Sequence, residues 1–358
     1  MVDLDAKEFV GIKKKVMGQK EALNFFGKCD LLYVRANGLY LNQEKVLDFL
    51  NYKDIYNYIL NSSFLSEYDL CYIRHLPPMS FSYFNFLRGI KKNPNLKVIL
   101  EIPTFPYYGE RSNAQSLKNK LNFYLDQFCF SKLISQYIDH IVTFNYFEDT
   151  VFGIENIKLV NGISESQMPL IKKEKSNLKE INILAVSTLV SWHAYDRLIL
   201  GLNEYRDKGL NEYTIKLHFV GEGPERNNLE NLTNDLSLNE FIYFYGYKNG
   251  DELEEIYGES DIGVSSLGLF KKGGAGDSLK AKEYMLAGLP IIVDENEKYY
   301  LGKEFVLDIP SNGSPIDLEQ VVKFYNSITS QGSEIREFCL GNFSWNRQIE
   351  KLLEVVEK

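Results

Sequence analysis

The chain has 358 residues, which favours two domains over one, and its formal net charge of -9 argues against general nucleic-acid binding. No apolar run approaches the roughly 20 residues of a membrane span, and Met1–Lys20 has no apolar core segment. We therefore expect neither a membrane helix nor a signal peptide. The cysteines lie far apart and form no metal or redox motif, which indicates reduced thiols in a cytoplasmic protein: Cys29, Cys71, Cys129 and Cys339.

The first half of the chain alternates between helix-like and strand-like segments. Gly11 opens a helical run over Ile12–Phe26, and its lysines form either a solvated face or a contact with anionic lipid heads. The alternation predicts a mostly parallel sheet with helices on both faces. The predicted strands are Asp30–Val34, Asp69–Ile73, Lys97–Glu101, His140–Phe144 and Ile157–Leu159.

Proline-stiffened polar segments follow two of these strands, at the sheet edge where ligands bind in such folds. They are Arg74–Pro78 and Glu101–Tyr108. One interpretation is the wall of a cleft that carries Arg74, His75, Glu101 and Thr104. The alternative is a pair of rigid turns with hydrogen-bonded polar groups. We favour the functional interpretation for the second segment and neither interpretation for the first.

The polar, lysine-rich stretch Ser164–Glu180 predicts a linker, and the alternation resumes beyond it. The strand Thr214–Val220 ends in the turn Gly221–Pro224, where Gly221 and Gly223 allow the backbone to approach a ligand closely. The other predicted strands are Ile181–Ser187, Phe241–Tyr245, Asp261–Ser265 and Phe305–Leu307, and the predicted helices are Tyr195–Tyr205, Asp251–Tyr257, Asp317–Ile328 and Trp345–Val356.

A glycine-rich loop opens directly into a helix within the stretch from Lys271 to Val293. Asp277 or Ser278 is a plausible N-cap, and the free backbone N–H groups of a helix N-terminus suit a phosphate. Lys280 and Glu283 lie three residues apart and share one side of this helix. The stretch fits a nucleoside diphosphate, with Lys280 on phosphate and Glu283 on ribose. It fits an ordinary surface helix with an incidental ion pair about equally well.

Taken in order, these segments resemble a GT-B glycosyltransferase and, more narrowly, retaining glycosyltransferase family 4. Leu159–Ile163 resembles the family's apolar-Pro-Asn-Gly-Val turn, and Phe219–Pro224 resembles its Val-Gly-x-Gly-Pro turn. Ser278–Pro290 resembles the helix that carries the second glutamate of the Glu-x7-Glu motif. Ala185–Ile199 resembles the family's Val-Gly-Arg-Leu segment with its following helix, and Phe343–Trp345 resembles the start of its closing helix.

The chain departs from the family at its charged positions. Ala275 stands where the family has the first glutamate of Glu-x7-Glu, and Thr188 and His193 stand where it has a phosphate-binding Arg and Lys. Phosphate then needs other cations, and the candidates are Lys271, Lys272, Lys280 and Arg197. The glycine loop that normally follows the first strand is also weak, and Gly11 is the only candidate for it.

The resemblance implies an α/β protein of the GT-B fold. Two Rossmann-like domains would face each other across a cleft, and a C-terminal helix would cross back to the first domain. Residues 1–165, together with the helix 344–358, would form the acceptor-side domain. Residues 166–343 would form the domain that binds the nucleotide sugar.

The resemblance also implies a cytoplasmic, metal-independent transferase. It would move a hexose from a UDP- or GDP-linked sugar to a saccharide or lipid-linked acceptor, with retention, in capsule or other surface polysaccharide biosynthesis. No cofactor is expected besides the donor itself. Lys280 and the N–H groups of Ser278 and Leu279 would hold phosphate. The residues expected to face the sugar or the acceptor are Glu101, Thr104, His75 and Gly11.

Two alternatives remain open at this point. One is a non-catalytic GT-B subunit that binds a partner enzyme or an acceptor, which the alanine at position 275 makes credible. The other is a nucleotide-sugar epimerase of the same fold, which would need acid–base carboxylates that the sequence does not reveal. Peripheral membrane association and a homo- or hetero-oligomeric state are compatible with either outcome.

Overall fold

The computed structural model describes residues 10–36, 38–49, 51–75, 80–103, 105, 121, 124–126, 128–144, 146–171, 179–209, 212–272 and 276–357. The chain forms two compact units. The first comprises Met1–Gly162 together with Trp345–Lys358, and the second comprises Ile163–Ser344.

The first unit begins with a helix and a small antiparallel sheet. Helix α1 covers Val10–Phe26, and the three strands that follow it pair in the order β1-β2-β3. They are β1 (Leu32–Arg35), β2 (Gly38–Leu41) and β3 (Glu44–Asp48). The prediction that the strand Asp30–Val34 belongs to the parallel sheet was therefore wrong. The residues form a hairpin instead, because a tight turn returns the chain at once.

The main sheet of the first unit has the strand order β4-β5-β6-β8-β7 and is parallel except for its edge strand β7. Its strands are β4 (Leu70–Arg74), β5 (Lys97–Ile102), β6 (His140–Phe144), β7 (Thr150–Val151) and β8 (Ile154–Leu159). The described helices beside them are α2 (Tyr52–Asn61), α3 (Phe81–Ile90) and the closing helix α10 (Trp345–Val356).

The closing helix α10 belongs to the core of this first unit. Its buried residues Trp345, Ile349 and Leu352 pack with Phe144 of β6 and Ile157 of β8. A strongly amphipathic helix with no strand after it needs an apolar surface to cover, and the sheet supplies one.

The second unit contains a six-stranded parallel sheet in the order β11-β10-β9-β12-β13-β14. The strands run apolar almost throughout because helices cover both faces of the sheet. They are β9 (Glu180–Val186), β10 (Thr214–Val220), β11 (Ile242–Gly246), β12 (Ile262–Val264), β13 (Ile291–Asp294) and β14 (Val306–Ile309). The order reverses between β9 and β12, which makes this pair the switch point of the sheet.

The described helices of the second unit cover the sheet and one another. They are α4 (Asp196–Asp207), α5 (Arg226–Asp235), α6 (Asp251–Glu259), α7 (Leu279–Ala287), α8 (Leu318–Ser327) and α9 (Gly332–Phe343). Helix α9 packs against α7, and the buried Cys339 thiol donates to the Lys282 carbonyl, 3.4 Å away. Helix α7 is thereby fixed between the sheet and a second helix.

The stretch predicted as a linker is largely part of the second unit. The backbone N–H of Ile171 donates to the Ala287 carbonyl at 3.0 Å, and Arg336 donates to the Met168 carbonyl at 2.8 Å. Glu180, the predicted end of the linker, is the first residue of β9. The described part of this stretch, residues 164–171 and 179–180, is thus held by hydrogen bonds together with the buried side chain of Met168.

Candidate functional site

Two loops meet at the switch point of the second sheet. One follows β9 and the other follows β12, and the backbone N–H of Leu267 donates to the His193 carbonyl at 3.0 Å. The Lys271 ammonium donates to the Ser191 carbonyl at 3.2 Å. Crevices at the carboxyl ends of strands, where the strand order reverses, are where open α/β sheets bind ligands.

Helix α7 begins beside these loops. Ser278 occupies the N-cap but its side chain makes no capping hydrogen bond, and the first turn contains no acidic residue. The helix ends at Gly288, whose φ of 88° is the left-handed conformation that favours glycine. The Ser278 side chain therefore does not cap the N–H groups at the start of α7, which include those of Ser278 and Leu279. An anion at this position requires N–H groups that no side chain caps.

Lys280 lies in the first turn of α7 and is half-buried. Its ammonium donates to the Tyr195 hydroxyl at 3.2 Å, and among the described residues no carboxylate oxygen lies within 4.0 Å of it. Burial lowers the pKa of Lys280 to about 7, against the opposing charges of Glu297 and Glu283. A desolvated ammonium at a helix N-terminus is unfavourable alone, and a bound anion would correct both effects.

Lys282, two residues further along the same helix, is in the opposite situation. Its ammonium forms an ion pair with Asp277, and both side chains are fully buried. The Tyr300 hydroxyl also lies 3.5 Å from Asp277. Asp277 was one of the two predicted N-caps, but its carboxylate binds Lys282 instead, so this pair anchors the start of α7.

Glu283 follows Lys280 by three residues on the same helix and is partly buried. Its negative charge favours the protonated form of Lys280. Burial, and to a smaller extent the Glu283 charge, also raises the pKa of Tyr257. Lys280 and Glu283 thus act on each other electrostatically, as their spacing predicted.

Glu297 is a site residue that sequence reasoning missed. It lies in the loop after β13 and its side chain is fully buried. Oε1 accepts a hydrogen bond of 2.5 Å from Ser265 at the end of β12, whereas Oε2 has no hydrogen-bond partner among the residues that the structure describes. Burial raises the pKa of Glu297 to about 7, while the Ser265 hydroxyl and Lys280 act to lower it. A buried, unpaired carboxylate oxygen is rare enough to suggest a function.

Arg197 was predicted to bind phosphate, and its contacts argue against that role. The guanidinium is buried and donates to the carbonyls of Leu267, Pro310 and Ser314. Burial lowers its pKa. Because all three guanidinium nitrogens already donate to protein oxygens, Arg197 holds the loops after β12 and β14 together.

The glycines of the turn after β10 have a packing role in the structure, and their predicted approach to a ligand stays a prediction. Gly221 has a φ of 128°, and a Cβ there would overlap the Ser187 carbonyl oxygen. A Cβ at Gly223 would overlap the Leu189 carbonyl oxygen. Both glycines are thus required for backbone to approach backbone, and they bring the turn after β10 against the loop after β9.

The remaining candidates of the second unit lie near Lys280 or outside the described side chains. His193 ends a short 3₁₀ turn, and its ring centroid lies 5.5 Å from that of Tyr195, the residue that accepts from Lys280. Lys271 is exposed. The Lys272 side chain and Ala275 lie outside the described residues.

In the first unit, Glu101 is a buried carboxylate with a full set of partners. Oε2 accepts from Gln19 and Tyr72, each at 2.7 Å, and Oε1 pairs with Arg74 and with Lys15. Although burial acts to raise its pKa, the lysine and arginine charges hold it below its usual range. The structure therefore supports the hydrogen-bonded alternative for Glu101, because the residue ties α1 to the end of β5.

Of the other first-unit candidates, His75 lies next to Glu101 along the sheet, where its backbone N–H donates to the Glu101 carbonyl at 2.8 Å. His75 is buried, its ring stacks on Tyr83 with centroids 5.8 Å apart, and burial lowers its pKa to about 4. Gly11 lies in the first turn of α1. The prediction that it forms a glycine loop after a strand was wrong, because the residues around it continue as helix. Thr104 lies outside the described residues.

Two features are absent from the described part of the chain. No group of three or more His, Cys, Asp or Glu side chains there could hold a metal ion. No helix there is both long and apolar enough to cross a membrane.

Comparison with known proteins places the site in a recognised domain. Residues 167–299, which include Lys280, Glu283 and Glu297, match the family described as "Glycosyl transferases group 1". This match confirms the prediction of a glycosyltransferase domain. A curated relative, the "Uncharacterized glycosyltransferase MJ1607" of Methanocaldococcus jannaschii, is 29% identical over 150 residues. The match covers 39% of this chain and 36% of that relative, so the chain spans about a third of the relative's length.

Solved structures confirm the predicted fold. Sucrose-phosphate synthase from Thermosynechococcus elongatus superposes with a TM-score of 0.59 and 11% identity, over 99% of this chain and 94% of that one. Anabaena Alr3699/HepE in complex with UDP superposes with a TM-score of 0.54 and 13% identity, over 84% and 82% respectively. The chain has the two-domain, Rossmann-like GT-B fold.

Proposed function

We propose that this chain is a glycosyltransferase that moves a hexose from a UDP- or GDP-linked sugar to a saccharide or lipid-linked acceptor. The observation that carries the proposal is Lys280. It is a desolvated lysine at an uncapped helix N-terminus, at the switch point of a parallel sheet, with no carboxylate in contact among the described residues. A diphosphate supplies the missing negative charge.

The donor site is proposed to work through fixed dipoles and one lysine. As the sugar leaves, negative charge develops on the diphosphate, and the N–H groups of Ser278 and Leu279 together with Lys280 would stabilise it. Glu283 would accept hydrogen bonds from the ribose hydroxyls. His193 lies beside Tyr195, the residue that accepts from Lys280, and Lys271 donates to the Ser191 carbonyl in the loop after β9, so both would be able to contact the same ligand. This arrangement requires no metal ion.

The finer parts of the proposal rest on the resemblance of the sequence to retaining glycosyltransferase family 4. They are retention of anomeric configuration and a place in surface polysaccharide biosynthesis. The UDP bound to Anabaena Alr3699/HepE supports UDP as the first nucleotide to test. Peripheral membrane association and the oligomeric state stay predictions from the sequence.

Donor turnover tests the proposal. The purified chain is incubated with UDP- and GDP-linked hexoses, with and without short saccharide and lipid-linked acceptors, and the released nucleoside diphosphate is measured. We expect release from one donor, and the anomeric signals of the product in NMR then report retention or inversion. Binding of a nucleotide without turnover on any acceptor would instead indicate the non-catalytic subunit. Failure to bind any nucleotide would refute the donor site itself.

A further inference from the structure

Glu297 lies beneath the chain that enters α7. A Cβ built at Gly276 would lie 3.3 Å from Glu297 Cγ, so the backbone just before the helix packs onto this side chain. One carboxylate oxygen is held by Ser265, and the other has no hydrogen-bond partner in the described part of the chain. A fully buried carboxylate is therefore fixed at the helix N-terminus with one oxygen that no described residue contacts by a hydrogen bond.

The charges around Glu297 make Lys280 its effective counter-charge. Lys282 is already paired with Asp277 in a fully buried ion pair, whereas the polar contact of the Lys280 ammonium among the described residues is the Tyr195 hydroxyl. Glu283 faces Lys280 from the same helix. The titratable or polar groups that face Glu297 or Lys280 from the elements packed around them are Ser265, Asp277, Lys282, Glu283, Tyr195 and Tyr300.

We propose that Glu297 sets the charge of Lys280 and is in this way a positioning residue for the donor diphosphate. Binding of a nucleotide sugar then takes up protons from solvent near neutral pH. This inference rests on the proposed function, since it assumes that a diphosphate binds at Lys280. No covalent bond is made or broken in this step, and the protons move only between solvent and the two side chains.

The direction of the proton transfer follows from the charges. In the empty site, burial lowers the pKa of Lys280 to about 7 and raises the pKa of Glu297 to about 7. A diphosphate brought next to them favours the protonated form of both groups. The complex therefore holds more protons than the free protein at pH 7–8, and affinity falls as the pH rises through this range. For each proton taken up, the affinity falls by up to about tenfold when the pH rises by one unit.

Calorimetric titration with an intact nucleotide sugar tests the inference. UDP-glucose and GDP-mannose are suitable because their diphosphate is a diester that does not itself titrate near neutral pH. Titrations at pH 6, 7, 7.5 and 8, in buffers with different ionisation enthalpies, give both the affinity and the number of protons taken up. For the wild type we expect net uptake at pH 7.5 and the fall in affinity described above.

Two variants separate a charge-setting role from a structural one. Glu297→Gln keeps the shape and the contact with Ser265, so it should match the wild type at pH 6, where Glu297 is protonated. Above pH 7 its affinity should fall less steeply with pH than that of the wild type, because it takes up fewer protons. Ser265→Ala removes the hydrogen bond that lowers the Glu297 pKa and should move the uptake to higher pH. Glu304→Gln, an exposed acid whose partners are Thr329 and Ser330, is the control and should change nothing.

Each adverse outcome refutes either the inference alone or the proposed function together with the inference. If wild type and Glu297→Gln have the same affinity and uptake at every pH, the inference fails. If Glu297→Gln weakens binding equally at every pH, Glu297 is only structural and the inference fails. If the wild type binds a nucleotide sugar without proton uptake, the inference fails and the proposed function stands. If no nucleotide sugar binds, the proposed function fails and takes the inference with it.

Discussion

Two lysines on α7 should respond in opposite ways to the same substitution. Lys282→Gln removes one partner of a fully buried ion pair and leaves the Asp277 carboxylate uncompensated, which costs about 3–5 kcal/mol of unfolding free energy. Lys280→Gln breaks no ion pair among the described residues, and the raised pKa of Glu297 lets that carboxylate take up a proton when its counter-charge is lost, so stability should change much less. It should instead weaken nucleotide binding by about 1.5–3 kcal/mol, the value of a hydrogen bond to a charged group. That loss corresponds to a dissociation constant raised about 10- to 150-fold.

Two measurements on the same proteins separate these effects. Urea unfolding, followed by the fluorescence of Trp192 in the second unit, reports stability, and calorimetry reports nucleotide affinity. Lys208→Gln is a matched control, because this exposed lysine pairs with Glu319 away from α7 and should change neither quantity. The assignment of roles is refuted if Lys280→Gln lowers the unfolding midpoint as much as Lys282→Gln does. It is also refuted if Lys280→Gln leaves nucleotide affinity unchanged.

Two further predictions concern stability. Glu101→Ala should destabilise the first unit by about 3–5 kcal/mol, because Lys15 and Arg74 lose their buried counter-charge, and urea unfolding measures the loss. Since the folded-state pKa of Glu101 lies below its usual value, its contribution is present at neutral pH and is lost as the pH falls below about 4, so Glu101→Gln should flatten the acid-unfolding curve in that range. Gly221→Ala should lower the melting temperature because its Cβ would overlap the Ser187 carbonyl, and an unchanged melting temperature would contradict the packing described for that turn.

The second unit could be predicted closely from the sequence because its signals are local. The strand Thr214–Val220 of this unit has the predicted bounds, and so has the closing helix Trp345–Val356 of the first unit. Continuous apolar runs between glycine turns define buried parallel strands, and a strong apolar stripe defines an amphipathic helix. The end of α7 at Gly288 has a local signal of the same kind, a glycine in the left-handed conformation.

The antiparallel sheet of the first unit was missed because its strands are short and half-exposed. Leu32–Arg35 has one buried residue, and a four-residue strand of this kind fits either sheet type. The signal that could have found it is the Asn-Gly pair at 37–38, which is typical of a hairpin turn. The glycine of this pair is the first residue of the strand Gly38–Leu41.

The site was predicted in part, and the rest depends on contacts between distant segments. Lys280 and Glu283 were found because a helical spacing of three is visible in the sequence. Glu297 lies in the polar run Asp294–Lys298, which looks like an ordinary loop, and only folding places it beneath α7. Arg197 was misjudged because its acceptors are backbone carbonyls 70 and more residues away, which no side-chain pattern reveals.

Calorimetric binding of UDP, GDP and their hexose derivatives, without added metal and with a chelator present, tests the central claim most directly. A donor site on the second unit predicts that one nucleotide binds to the wild type. It also predicts that Glu283→Gln, which removes the proposed acceptor for ribose, binds that nucleotide more weakly, whereas Glu319→Gln on α8 does not. No binding of any nucleotide to the folded wild type, or equal affinity in all three proteins, would contradict the claim.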